Sequence, residues 1–90
     1  MQTSEPPTLL LIPNAHLDPV WLWRWQEGCA EARATCRAVL GFMDQYPDLT
    51  FCRSSAGVMR WIRQLDPEAF EAIGRHVRAG RCENVNGWWT

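Results

Sequence analysis

Two periods of hydrophobicity alternate along this chain, and each change of period marks an element. Leu9, Leu10, Leu11 and Ile12 form an unbroken apolar run closed by Pro13 and Asn14. A run this short with turn residues after it predicts a strand over residues 8–13, buried on both faces as in a parallel sheet. Residues 14–26 carry no regular period and read as an aromatic loop. Over residues 27–45 the period lengthens: Ala32, Cys36, Val39, Met43 and Tyr46 recur at steps of four and three, with Glu31, Arg33, Arg37 and Asp44 on the other side. That is an amphipathic helix, stopped by Pro47. Residues 49–53 (Leu-Thr-Phe-Cys-Arg) predict a second short strand. Ser54 or Ser55 then caps a helix with Met59, Ile62 and Leu65 facing inward. Asp66-Pro67-Glu68 starts another, with Asp as cap and Pro in the first turn. Its inner positions are Phe70, Ile73, Gly74 and Val77, and Gly80 ends it. A third strand is expected over residues 81–86, around Cys82-Glu83-Asn84-Val85.

The order strand-helix-strand-helix-helix-strand demands an α/β fold with a parallel sheet and crossovers of one hand. Ninety residues make one small domain or a piece of a larger one. Residues 1–7, with a Pro-Pro pair, read as a flexible leader. Residues 8–90 read as the N-terminal part of a larger domain, truncated where the loop after the last strand is due.

The net charge of −1 argues against a nucleic-acid stripe or a membrane-surface patch. The opening apolar run is too short for a membrane span or a signal-peptide core and has no basic residues before it. A cytoplasmic protein without membrane or nucleic-acid partners is the expectation. Cys29, Cys36, Cys52 and Cys82 form no CxxC pair. Three of them fall in helical or strand patterns, which favours buried thiols over bridges.

Chemistry concentrates just past the first predicted strand. His16 and Asp18 are two residues apart, so an extended backbone sends both side chains the same way. An imidazole nitrogen and a carboxylate oxygen together make half of a first-row metal shell, and ligands gather at the carboxyl ends of strands in α/β folds. Trp21 offers a flat apolar face beside them, suited to a sugar ring. At least one of Trp21, Trp23 and Trp25 reads as a cover for the sheet end, with Trp21 the candidate for ligand contact, and Trp88 and Trp89 return to the same side. Glu27 reads as a first-turn helix carboxylate, His76 as a solvated residue near a helix end, and Glu83 as a strand residue facing a helix Arg. Ser54-Ser55 lacks the elbow glycines and local His of a serine nucleophile.

The stretch His16-Leu17-Asp18-Pro19-Val20-Trp21-Leu22-Trp23 resembles the H-x-D-x-x-W-L motif of glycoside hydrolase family 38, the zinc-dependent α-mannosidases. Gly80-Arg81-Cys82-Glu83-Asn84-Val85-Asn86-Gly87-Trp88-Trp89 is similar to the family's G-R-W-E-x-x-G-G-x-W block, with Cys82 in place of the usual Trp and Asn86 in place of a frequent Gly. The resemblance implies a parallel-sheet, barrel-like α/β catalytic domain. It implies a retaining exo-acting glycosidase that removes α-linked mannose from oligosaccharides or glycans, with zinc as cofactor. By the motif, His16 and Asp18 match two zinc ligands, and Trp21 matches an aromatic that stacks on the sugar. The nucleophile and the acid/base are expected beyond Thr90, so the 90-residue piece alone is expected to be inactive. The alternative is a carbohydrate-binding or interaction module that uses the Trp cluster without catalysis, or an inactive remnant. Oligomeric state is left open.

Overall fold

The computed structural model describes residues 5–85. It has three helices and two parallel strands: α1 (Trp25–Gln45), β1 (Phe51–Arg53), α2 (Ala56–Leu65), α3 (Pro67–Arg78) and β2 (Cys82–Asn84). The strands pair in register, Phe51 with Cys82, Cys52 with Glu83 and Arg53 with Asn84. No helix is long and apolar enough to cross a membrane among the described residues.

The expected opening strand over residues 8–13 does not form. The segment touches the sheet at a single bridge, Asn14 beside Cys52, where the Cys52 amide donates to the Pro13 carbonyl at 3.0 Å. Continuing that parallel register backward sets Ile12 beside Thr50, ahead of where β1 begins, so Leu9 to Ile12 have no strand to pair with. They stay 74–81% exposed. An apolar run becomes a buried strand only when something covers its faces, and none of the three helices does so.

The helices behave as their end signals dictate. α1 starts at Trp25, two residues before the expected start, and the Arg24 amide donates to the Glu27 carboxylate at 3.2 Å. The Glu27 carboxylate thus satisfies an amide left open at the helix start, as its place in the first turn suggested. Ser55, not Ser54, caps α2 by accepting from the Val58 amide at 3.3 Å. Asp66 caps α3 by accepting from the Ala69 amide at 3.2 Å, with Pro67 in the first turn. Gly80 follows α3 at φ 77°, a left-handed conformation that costs glycine nothing.

The core is a seam where the three helices meet: Ala32, Cys36 and Leu40 of α1, Val58 and Ile62 of α2, and Ala69 of α3, flanked by Leu17, Trp61, Phe70, Ala72 and Ile73. Of the expected inner positions of α2 and α3, Met59 and Gly74 are half-buried outside it, and two more are not buried at all. Leu65 and Val77 are exposed, because α2 turns into α3 right after Leu65 and the seam runs through Val58 and Ala69 instead. Tyr46, expected at the end of the α1 stripe, is also exposed as the residue past the helix.

Two polar clusters lock the seam. Asp66, 4% exposed, accepts from Arg37 Nε at 2.7 Å, Arg37 Nη2 at 2.6 Å and Arg33 Nε at 3.1 Å. Those hydrogen bonds, above all from Arg37, hold the Asp66 carboxyl well below the usual carboxylate range against the opposing effect of its burial. At the other end Arg81 gathers the carbonyls that α1 and its turn leave open. Its Nη2 donates to Met43 O and Tyr46 O at 2.9 Å each and to Leu49 O at 3.1 Å.

Candidate functional site

The loop after the Asn14 bridge is placed by contacts on one side and chemistry on the other. Leu17 packs against the helical seam. Alternation along an extended backbone then sends its neighbours outward. His16 Nε2 and Asp18 Oδ1 come within 3.0 Å of each other on that outer side, with side chains 72% and 50% exposed. The two atoms are in direct hydrogen-bonding contact. The structure therefore brings together the two residues expected to share a ligand.

The segment beyond Asp18 is held down in two places. Trp23 Nε1 donates to the Asp18 carbonyl at 3.2 Å. Below it, Pro19 lies directly on α1 at Gly28: a Cβ on Gly28 would sit 2.2 Å from the Pro19 carbonyl oxygen. Gly28 was not singled out from sequence, yet it carried a signal. A glycine inside an amphipathic helix gives up about 1 kcal/mol of helix propensity, and close backbone approach is a usual reason to keep it.

The tryptophans divide their labour. Trp25 packs on Trp61 with ring centroids 6.2 Å apart, which ties the start of α1 to α2. Trp23 spans the loop. Trp21 is 70% exposed and free to meet a ligand, and the indole that reaches the Asp18 segment is Trp23 rather than Trp21. Trp88, Trp89 and Asn86 lie outside the described residues.

The other titratable candidates take plainer places. Glu83 is exposed on β2. His76, expected to be solvated, is half-buried on α3. Burial pushes the Cys36 and Cys82 thiols up from their ordinary value, which suits inert packing residues. Among the described residues no group of three or more His, Cys, Asp or Glu side chains gathers around a point that could hold a metal ion. His16 and Asp18 thus stand as a pair of donors, one nitrogen and one oxygen.

Residues 6–90 match the model of the glycosyl hydrolases family 38 N-terminal domain. The chain is 25% identical over 76 residues to alpha-mannosidase 2C1 of Homo sapiens, covering 84% of the chain and 7% of that protein. It is 29% identical over 79 residues to an alpha-mannosidase of Saccharomyces cerevisiae, covering 87% of the chain and 7% of the relative. To alpha-mannosidase 2 of Spodoptera frugiperda it is 23% identical over 83 residues, again 7% of that protein's length.

Proposed function

The chain belongs to glycosyl hydrolases family 38, within its N-terminal domain, and from that premise we propose that it forms the opening part of a zinc-assisted, retaining α-mannosidase. The substrate is a glycan or oligosaccharide with a terminal α-linked mannose. The observation that carries this reading is the meeting of His16 Nε2 and Asp18 Oδ1 at 3.0 Å on the open side of the loop, in a chain whose relatives are named alpha-mannosidases.

The donor set fits part of a zinc site. Imidazole nitrogen and carboxylate oxygen are both accepted by first-row divalent ions, and the pair faces solvent, where a cation and a substrate can reach it. Two donors are half of a four-ligand shell, so the remaining ones come from outside the described residues. Bound zinc supplies a Lewis-acid anchor and template for sugar hydroxyls.

Every other element of the reading lies in this chain's own side chains. His16 Nε2 and Asp18 Oδ1 lie side by side on the open face of the loop, 3.0 Å apart. Leu17 fixes that orientation by anchoring the backbone between them in the seam. Gly28 lets Pro19 sit tight on α1, and Trp23 clamps the Asp18 carbonyl, so the pair rides on a helix rather than on a loose loop. Trp21 supplies an apolar face for the C–H side of a mannose ring. Retention needs two carboxyl groups about 5–5.5 Å apart, one as nucleophile and one as acid/base, and both are supplied from outside this segment. They belong to the barrel-like remainder of the catalytic domain.

An active protein carrying this segment should hydrolyse an aryl α-mannoside, lose that activity to a chelator and recover it with zinc. His16→Ala and Asp18→Ala should each remove zinc from the purified protein. Activity that survives both chelation and His16→Ala would overturn the reading.

A further inference from the structure

Between the helices and the sheet lies a groove of about 360 Å³ that the mannosidase reading does not use. Its size is within the range of small-molecule sites. Leu40 and Met43 of α1, Phe51 of β1 and Phe70 and Ile73 of α3 give it apolar walls, and Arg53 lines it with them. The strand register puts Phe51, Arg53 and Cys82 on the sheet face turned toward this groove and Cys52 on the opposite face.

Arg53 is the anomaly. It is 6% exposed, and its Nη1 is buried without a hydrogen-bond partner. Among the described residues no carboxylate lies within ion-pairing distance of it; Asp66 is already held by Arg33 and Arg37. A buried guanidinium is costly without an anion, and an orphaned donor of this kind marks a missing partner.

We propose that this groove binds an amphiphilic monocarboxylate, with the carboxylate on Arg53 and an acyl or aryl body along the apolar walls. The planar guanidinium matches a carboxylate in shape as well as charge. A neutral apolar ligand would leave Nη1 unpaired, and a sugar phosphate would leave the walls uncovered. The volume equals about twelve water-sized groups, room for a carboxylate and a body of about ten carbons. The site shares no residue with His16 and Asp18 and stands or falls apart from the mannosidase reading.

The test titrates the full chain with monomeric decanoate and, separately, with 1-decanol, following the Arg53 guanidinium resonance and the alkylation rates of Cys82 and Cys52. Decanoate should bind about tenfold or more tighter than decanol, the worth of a charge-assisted hydrogen bond. It should shift the Arg53 resonance and slow alkylation of Cys82, which lines the groove, while leaving Cys52 unchanged. Arg53→Met should erase the preference for decanoate and keep the affinity for decanol. Equal affinity for the two ligands, or no binding of decanoate, overturns the proposal. Should Arg53→Met fail to fold, the unmodified chain still decides: decanoate binding without the Arg53 shift and without protection of Cys82 also overturns it.

Discussion

Replacing Gly28 by Ala tests whether the His16–Asp18 loop is built on α1. The added Cβ would stand 2.2 Å from the Pro19 carbonyl oxygen and 3.1 Å from its carbon. Real contacts of this kind do not fall below 3.0 Å, so the loop must withdraw by at least 0.8 Å. Because the obstacle is backbone rather than a flexible side chain, relief requires moving the Asp18–Trp23 segment as a unit. Forcing an extra carbon into a filled site costs about 1–3 kcal/mol. Gly41, on the same helix, has nothing within 4 Å of its would-be Cβ, so Gly41→Ala is the control and should gain about 0.4–1 kcal/mol. Both variants share the helix-propensity gain, and the difference between them isolates the Pro19 contact. Melting temperatures should separate by about 4–8 °C for each kcal/mol of that difference, with Gly28→Ala the lower. Urea midpoints should rank the same way. If the two variants rise together, Pro19 does not rest on Gly28 and the seating of the loop is refuted. In an active protein carrying the segment, a displacement near 1 Å at such a site should lower kcat/KM by about 100-fold.

Four further outcomes are expected. Ile62→Ala, in the fully buried seam, should cost about 2–5 kcal/mol, read from the urea midpoint. Asp66 has a folded-state pKa below its unfolded value, so its stabilisation is complete above the unfolded carboxylate value and drains away as pH falls toward the depressed one. Urea midpoints should therefore fall from about pH 4 downward, and Asp66→Asn should flatten that fall while lowering the midpoint at neutral pH. Zinc titration by calorimetry should give weak binding to the 90-residue chain, and none after His16→Ala, because two donors make half a shell. The same chain alone should turn over no aryl α-mannoside above a His16→Ala control, since neither nucleophile nor acid/base is assigned within it.

End signals were the most legible part of the fold. Asp66-Pro67 and Gly80 act locally, through a side chain one turn from its amide or a backbone angle, so the residues alone determine them. Ser55 could be told from Ser54 only in three dimensions, since both precede the helix by a workable spacing. The run Leu9 to Ile12 misled because hydrophobicity reports what a segment could bury, whereas pairing depends on a neighbour of adequate length, and β1 begins too late. The inner faces of α2 and α3 shifted for a similar reason: where three helices meet, the seam chooses Val58 and Ala69 over Leu65 and Val77. The His16–Asp18 pair was visible through the alternation of an extended chain around Leu17. What seats it, Gly28 beneath Pro19, is a contact between backbones nine residues apart that no side-chain pattern announces. Arg53 carried a faint sign, a charge in an otherwise apolar three-residue strand.

The three carbonyls collected by Arg81 have a consequence for assembly. The last turn of α1 and the bend into β1 are completed by a guanidinium that lies 32 positions after Leu49 and 38 after Met43. On a ribosome adding about 5–20 residues per second, that delay is about 2–8 s. Until it ends, the helix terminus has only water to satisfy it and is free to fray. Arrival of Arg81 and docking of β2 are then one event, so the nascent chain acquires its sheet and finishes its first helix together.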